Sequence, residues 1–512
     1  MLLRDLVETS GTVAATRSRK AKVAAIAERL AQATVDELPV VTAYIGGTIL
    51  QRRTGVGWRG LSGLPEPAAE PSLTPLEVDR TLDRLAAMSG PGSQETRATG
   101  VRDLFGRAAA DEQRWLRGVL TGNVRQGALD ALVQEAIAAA SGVRITAVRR
   151  AAMLAGGTVP IVVMAMTGGE EELAEVGLKV GRPVLPMLAS TAPDVAAAMA
   201  KAGGGRPVAV DVKLDGIRIQ VHRDGDDVVI ATRSLDDITE RLPEVVEVVR
   251  ALPTRRVILD GEAIALDGQG RPRPFQETAS RTAQAIGRGS GVAVTPYFFD
   301  VLHVDDDDLL DVPASERLQR LDALVPEEHR VPRLVTDDPV AAEDFAHDAL
   351  ARGHEGVVVK SLSIGYAAGR RGAGWVKVKP VHTLDLVVLA VEWGSGRREG
   401  LLSNIHLGAR NPDGTFTMLG KTFKGMTDEM LAWQTERFTA LAVEPETIRD
   451  HYVVPLRPEQ VVEIAFDGLQ RSTRYPGGVA LRFARVVRYR DDKSADEADT
   501  LDTVRGYAPA VD

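Results

Sequence analysis

The 512-residue chain contains no cysteine, which excludes disulfides, thiolate zinc sites and cysteine nucleophiles together and fits a cytosolic setting. No window approaches the roughly 18 uninterrupted apolar residues of a membrane span, and the N-terminus has no signal-like apolar stretch. The expectation is a soluble, intracellular protein with no membrane role, and the short architecture without a nuclear-type basic tail points to a prokaryotic cytoplasm. Missing too are the G-x-x-x-x-G-K-[ST] and G-x-G-x-x-G loops, so neither a Walker nor a Rossmann nucleotide site is supported. Net charge is −9, which argues against a polyanionic partner until its distribution is considered.

What is present is ordinary globular material, 44% hydrophobic and 26% charged, and the length predicts roughly three or four domains. Residues 1–180 read as helical: Ala21 to Ala33, Glu77 to Met88, Asp111 to Leu120 and Gln126 to Ala140 carry apolar residues at helical spacing, separated by loops such as Gly55 to Pro75 and Ser89 to Ser93. Charge in this region is balanced, with 20 basic and 20 acidic residues from Met1 to Leu178. Thr121 to Gly127, just before a long helix, would aim backbone N–H groups and Arg125 at one phosphate; an ordinary helix start would look the same. Gly181-Arg-Pro-Val-Leu-Pro186 then reads as a stiff connection between domains.

Over residues 181–382 the pattern turns to strands at 207–212, 217–222, 227–232, 257–260, 263–266, 294–301, 356–360 and 375–379, with helices near 241–251, 276–284, 314–322 and 339–352. Residues 383–495 are strand-rich with one helix near 427–442, which fits a small closed barrel of the five-stranded oligonucleotide-binding (OB-fold) type. Residues 496–512 read as a polar tail. Between Arg471 and Arg490 lie six arginines, Arg482, Arg485 and Arg490 among them, with aromatics and no acidic residue; a solvated face normally mixes signs, so this stretch points to phosphates.

The chemistry gathers around Lys213 in Asp211-Val-Lys-Leu-Asp-Gly-Ile-Arg218. An apolar alternating run precedes the lysine and an Asp215-Gly216 turn signal follows it. Lysines beside Asp-Gly turns are mostly solvated hairpin residues; with Arg218 added, chance recurrence falls to about one in a hundred chains of this length at ordinary residue usage. Glu262 and Glu355 each sit at a strand end, and such a pair can hold a hard divalent cation together with substrate phosphates. Strand period puts Lys377 and Lys379 on one face of Trp375-Val-Lys-Val-Lys379. Neighbouring cations of this kind would lower the pKa of Lys213 and make it a nucleophile.

The ordered set Lys213-Leu-Asp-Gly-Ile-Arg218, Arg233, Asp260-Gly-Glu262, Phe298-Phe-Asp300, Glu355-Gly-Val-Val-Val-Lys360, Trp375-Val-Lys-Val-Lys379 and Arg490-Asp-Asp-Lys493 resembles the motifs of the covalent nucleotidyltransferases, and closely those of ATP-dependent DNA ligases. The resemblance covers almost the whole chain, most strongly residues 205–495. It implies an all-α N-terminal DNA-binding domain, an α+β adenylation (nucleotidyltransferase) domain and a C-terminal OB-fold β-barrel. It implies ATP and Mg2+ as cofactors, nicked duplex DNA as partner of a monomer, and a lysine-AMP intermediate on Lys213. By the same resemblance Asp211 and Arg218 flank the nucleotide, Arg233 and Glu262 engage the ribose side, Phe299 (or Phe298) stacks on adenine, and Glu355 joins Glu262 in metal binding. Arg371, Lys377 and Lys379 would hold phosphates, and Arg490 and Lys493 would visit them. Asp211 stands where the family has glutamate. RNA ligases and RNA-capping enzymes share the core chemistry, but the helical first third is better explained by duplex DNA; an NAD+-dependent ligase would be expected to carry a cysteine zinc module.

Overall fold

The computed structural model describes residues 1–51, 53–124, 130–283, 293–367, 371–395 and 398–507. The N-terminal region is built of helices around one apolar core that runs from Leu3 to Leu173. Local chemistry explains individual members. The Thr74 hydroxyl accepts the Glu77 N–H at 3.2 Å and the Glu77 carboxylate accepts the Thr74 N–H at 2.9 Å, opening Pro75–Ala87 with a proline in its first turn. Val78, Leu82 and Leu85 then share its buried face. Two helices lack the pattern that sequence reading relies on. Leu38–Ile45 is buried nearly all round and so has no periodicity, and Ser93–Arg107 starts at the end of a stretch that reads as a loop. The helix expected from Gln126 is described from Asp130 onward.

The middle region holds two five-stranded sheets. In the first, Val208–Lys213 lies between Gly356–Ser361 and Arg333–Thr336, with Arg371–Val378 and Leu188–Thr191 beyond. In the second, Ile217–Asp224 lies between Asp227–Thr232 and Arg256–Ala265, followed by Val294–Val304 and Asp307–Asp308. The chain therefore changes sheet across Leu214 to Gly216, and the strand-turn-strand read there is not a paired hairpin. A Cβ on Gly216 would sit 2.4 Å from the Ala263 carbonyl oxygen, so this glycine marks a close approach of backbones. Arg256–Ala265 is likewise one strand rather than the two expected, bulged between Asp260 and Gly261, so Glu262 stands within a strand and not at its end.

Helices Val195–Gly203 and Pro339–Ala351 cover the outer face of the first sheet. Pro243–Arg250 and Ala314–Leu324 cover the second. The inner faces meet through Met187, Ile258, Leu302, Tyr366 and Trp375, joined by Met153 and Leu154 from the helical region. Sheet-on-sheet packing leaves a cleft wherever polar side chains replace these.

The C-terminal region is a six-stranded sheet in which His382–Trp393 pairs with Leu402–Arg410 and Val461–Phe466, flanked by Phe416–Thr422 and Arg485–Tyr489. The end of Phe416–Thr422 also meets the last strand: Val486 donates to the Lys424 carbonyl at 2.9 Å and the Thr422 hydroxyl to the Ala484 carbonyl at 2.6 Å. The segment read as one strand over 481–489 divides at Phe483, whose φ is 54°. Val479–Arg482 pairs with Gly468–Arg471 as a separate two-stranded ribbon. The polar tail expected from 496 is packed as far as it is described: Leu501–Arg505 is helical and Val504 is fully buried in this core. Among the described residues no single helix is long and apolar enough to cross a membrane.

Candidate active site

A cavity of about 420 Å³ opens between the two middle sheets, a size that suits one small ligand. The first sheet contributes Lys213, Val358, Lys360, Trp375 and Lys377; the second contributes Arg218, Glu262 and Phe299. Arg233 lines it from just beyond the strand Asp227–Thr232, with its side chain exposed. Strand alternation decides between the two phenylalanines: Phe298 is 0% exposed in the outer core, and Phe299 faces the cavity, edge-on to Trp375 at 5.7 Å between ring centres.

Lys213 ends its strand with the ammonium ion-paired to the Glu355 carboxylate. The other Glu355 oxygen accepts from Lys379 at 3.3 Å. Lys213 thus shares its cavity with the cations Arg218, Lys360 and Lys377 and is itself paired to a carboxylate, and the Glu355 carboxylate, expected at a metal, is held by two ammonium groups. Lys379 stands outside the cavity lining and also pairs with Asp467 of the C-terminal region. Glu262 lies opposite Arg218 in the ladder. Burial pushes its carboxyl up to about 7, against the pull of Lys213 and Arg218.

Asp211 lines the cavity floor but is only 2% exposed. Its oxygens take the Arg333 Nε at 2.6 Å and the Lys360 Nζ at 2.6 Å. Burial opposes its charge; Lys360 and Arg333 outweigh that and hold the carboxyl below the ordinary range. The nucleotide contact expected of Asp211 thus falls on a cavity-lining carboxylate that is already held by two cations. Lys360 closes the Glu355-Gly-Val-Val-Val-Lys360 motif and has no role in the sequence reading. Its Nζ lies 4.4 Å from the centres of both the Phe299 and Trp375 rings, and burial lowers its pKa even with Asp211 beside it. Its signal in the sequence was strand alternation, which places it on the face of Val358. Arg218 is similarly built in. Its Nη2 and Nε reach Asp260 at 2.7 and 3.1 Å, and its Nη1 donates to the Met187 carbonyl at 2.7 Å. The Tyr366 hydroxyl donates to Asp260 at 2.5 Å.

The ribbon of the C-terminal region docks on the middle region beside the cavity. Arg482 Nη1 reaches Asp215 at 2.6 Å and the guanidinium lies 5.5 Å from the ring centre of Phe275, a lining residue. The Gln276 amide donates to the Arg471 carbonyl at 3.2 Å. Asp215 and Asp467 are the site residues that sequence reading missed here, since each acquires its role from a partner in another region. Arg485 approaches Asp467 at 3.5 Å. Arg490 and Lys493 are not brought to the cavity; both pair with Asp385, at 3.0 and 2.6 Å. Arg125 and the Arg371 side chain lie outside the described residues.

No group of three or more carboxylate or imidazole donors converges among the described residues. A cation such as Mg2+ that keeps waters and takes substrate phosphates needs only one or two carboxylates. Glu262 fits that part: it faces the cavity beside Lys213, and no hydrogen bond reaches its carboxyl among the described residues.

The chain matches the family described as ATP dependent DNA ligase domain over residues 186–379, its C terminal region over 398–493, and DNA ligase N terminus over 61–138. It is 68% identical to a probable DNA ligase of a Nocardioides species, with 99% of each chain covered. It is 67% identical to a probable DNA ligase of Kineococcus radiotolerans, covering 99% of this chain and 100% of that one. A solved structure described as Pmar-Lig_PreS3 shares the fold with a TM-score of 0.61 at 18% identity, over 95% of this chain and 99% of that one.

Proposed function

Because the chain belongs to the ATP-dependent DNA ligase family, we propose that ATP occupies the cavity between the two sheets and that Lys213 is the nucleophile. The Lys213 amine attacks the α-phosphorus and pyrophosphate leaves. AMP then passes to the 5′-phosphate of a nick in duplex DNA, and the 3′-OH displaces AMP to seal the strand. All three are phosphoryl-type displacements, in which positioning and charge neutralisation supply most of the catalysis. The observation that carries this reading is that one cavity gathers Lys213, Glu262, Phe299 and Lys377 from two sheets.

Phe299 stacks on adenine, with Lys360 behind its ring. Arg233 and Glu262 take the ribose side, and Arg218, fixed by Asp260, presents its cationic edge to the nucleotide. Lys377, Lys379 and Arg371 neutralise the phosphates. Glu355 orients the Lys213 ammonium until ATP arrives. Glu262, with Glu355 as a second carboxylate, would hold Mg2+, which would supply further charge neutralisation. Asp211 contributes by anchoring Lys360.

The division of labour follows the regions. Residues 1–180 bind duplex DNA, with Arg125 a phosphate contact; 181–382 adenylate; 383–495 form a closed OB-fold barrel, a reading supported by the Val486 to Lys424 and Thr422 to Ala484 bonds. The barrel turns between two tasks: Arg490 and Lys493 leave Asp385 to meet the ATP phosphates during adenylation, and Arg482 and Arg485 meet DNA during sealing. The enzyme works as a monomer in a bacterial cytoplasm. Intact mass with and without ATP tests the covalent step. The wild-type chain gains one AMP and Lys213→Ala gains none; a mass gain that persists in Lys213→Ala removes the lysine from this role.

A further inference from the structure

The side chains of Arg218, Gln220 and His222, which alternation puts on one face of the strand Ile217–Asp224, all reach the segment that joins the helical and middle regions. Gly181 donates its N–H to His222 Nδ1 at 3.2 Å; the ring proton is then on Nε2, which donates to Gln220 Oε1 at 2.9 Å. The same Oε1 accepts the Val184 N–H at 2.8 Å, and Gln220 Nε2 donates to the Val184 carbonyl at 3.1 Å. Arg218 Nη1 donates to the Met187 carbonyl at 2.7 Å. Gly181, Val184 and Met187 recur at every third residue, the repeat of a polyproline-type chain, which Pro183 and Pro186 favour. Connecting segments ordinarily run over the surface, yet Val184, Met187, Gln220 and His222 are all buried. Burial, with His303 adding to it, pushes the His222 imidazole down to about 3, so the ring stays neutral and Nδ1 remains an acceptor.

The segment ends in the cavity, since Leu188 and Ala189, directly after Met187, line it. Met187 also closes a ring of hydrogen bonds. Its N–H goes to the Tyr366 hydroxyl at 3.0 Å, that hydroxyl donates to Asp260 at 2.5 Å, Asp260 accepts from Arg218 Nη2 at 2.7 Å, and Arg218 returns to the Met187 carbonyl. The guanidinium is therefore held from two sides, by a carboxylate of its own sheet and by the backbone of the connecting segment. Gln220 and His222 do not line the cavity, yet both commit buried polar groups to that segment. A buried amide keeps such bonds because leaving them unmade is costly.

We infer that residues 181–189 are a strap forming one wall of the nucleotide cavity, and that Gln220 and His222 are positioning residues for adenylation. By fixing Gly181 and Val184 they set the Met187 carbonyl, and through it the cationic edge of Arg218 and the Leu188 wall that the nucleotide meets. A binding group works only when its own geometry is locked by the groups behind it. The inference rests on the ligase reading for its substrate. It adds two residues that reach the nucleotide only through the strap, and it makes the connection between two regions a part of the site.

The test is the rate of AMP gain by the full chain against ATP concentration, measured below the unfolding transition of each variant. Gln220→Met, similar in volume and without the amide, is expected to need about tenfold more ATP for half-maximal rate while its maximal rate changes by less than about twofold. Thr254 supplies the comparison: it is buried beside the same sheet with its hydroxyl on Asp305 at 2.6 Å, and it lines no part of the cavity. Thr254→Val is expected to lower the unfolding temperature and leave the ATP requirement unchanged. A wild-type ATP requirement in Gln220→Met, or an equal rise in Thr254→Val, overturns the positioning role. Should Gln220→Met fail to fold, His222→Asn against His222→Leu decides. Asparagine places an oxygen where Nδ1 stood and keeps the Gly181 bond, so it should need less ATP than leucine, and equal requirements overturn the inference. A wild-type chain that gains no AMP overturns the ligase reading and the inference with it, whereas a wild-type gain with unmoved variants overturns the inference alone.

Discussion

Replacing Asp211 by asparagine separates two meanings of a buried carboxylate at the cavity floor. Asp211 and Lys360 are 2% and 3% exposed, and the carboxylate stands between the Lys360 ammonium and the Arg333 guanidinium, each at 2.6 Å. Without its charge, two buried cations face one another. Removing one partner of a buried pair costs about 3–5 kcal/mol. At about 2–4 °C per kcal/mol for a unit of 150–250 residues, the unfolding transition of the region that holds the site falls by about 6–20 °C. Because the folded pKa lies below the ordinary value, this stability is present above the unfolded pKa of about 3.9 and is lost as pH falls through the folded one. The deficit should therefore be constant from pH 5 to 8. A second substitution, Lys360→Met, should return part of the loss by removing one unpaired charge. Scanning calorimetry of the full chain reads the first effect, and the ATP concentration for half-maximal adenylation reads the alternative. If Asp211→Asn melts within about 1 °C of wild type while its ATP requirement rises tenfold, Asp211 is a ligand contact and the anchoring argument fails.

Glu262, pushed up to about 7, stabilises the fold in its neutral form. That contribution is complete below the unfolded value of about 4.3 and is lost as pH rises through 7; thermal scans from pH 4 to 8 should show a decline in wild type that is absent in Glu262→Gln. Gly216→Ala should abolish AMP uptake, since a Cβ there meets the Ala263 oxygen and the Ile264 methyl at 2.4 Å; a soluble variant that adenylates normally would contradict the close approach. Arg482→Ala removes a partly buried pair with Asp215 and should weaken the docking of the ribbon on the middle region by about 1 kcal/mol, seen as a larger radius of gyration by small-angle scattering; an unchanged radius would argue that other contacts hold the ribbon.

The parts of the site that were legible in the sequence are those written in a single strand. Lys213 before Asp-Gly, and Lys377 two residues from Trp375 and Lys379, follow from alternation alone. What was not legible depends on partners far apart in the chain. Asp211 and Arg333 are 122 residues apart, and Asp215 and Arg482 are 267 apart, so no local pattern announces that Asp211 is committed to ion pairs or that Asp215 holds the ribbon. The fold shows the same division. Amphipathic helices and longer strands were readable, whereas the four-residue strands Leu188–Thr191 and Arg333–Thr336 are too short to display a period. The break at Phe483 is a left-handed residue, a conformation that side-chain chemistry does not advertise.

Crossing from one sheet to the other within Leu214 to Gly216 has a mechanical consequence. The two walls of the cleft are one continuous peptide at the point where the nucleophile stands, and Gly216 is wedged against the Ala263 backbone. Lys213 and Glu355 belong to the same wall, where the Glu355 N–H donates to the Lys213 carbonyl at 3.0 Å, so a separation of the walls would bend the chain between Lys213 and Ile217 and leave that pair together. The cleft is therefore hinged beside its own lysine. Any opening of the cleft turns about the Leu214 to Gly216 crossing, so Lys213, at the edge of that crossing, is the wall residue that such opening displaces least.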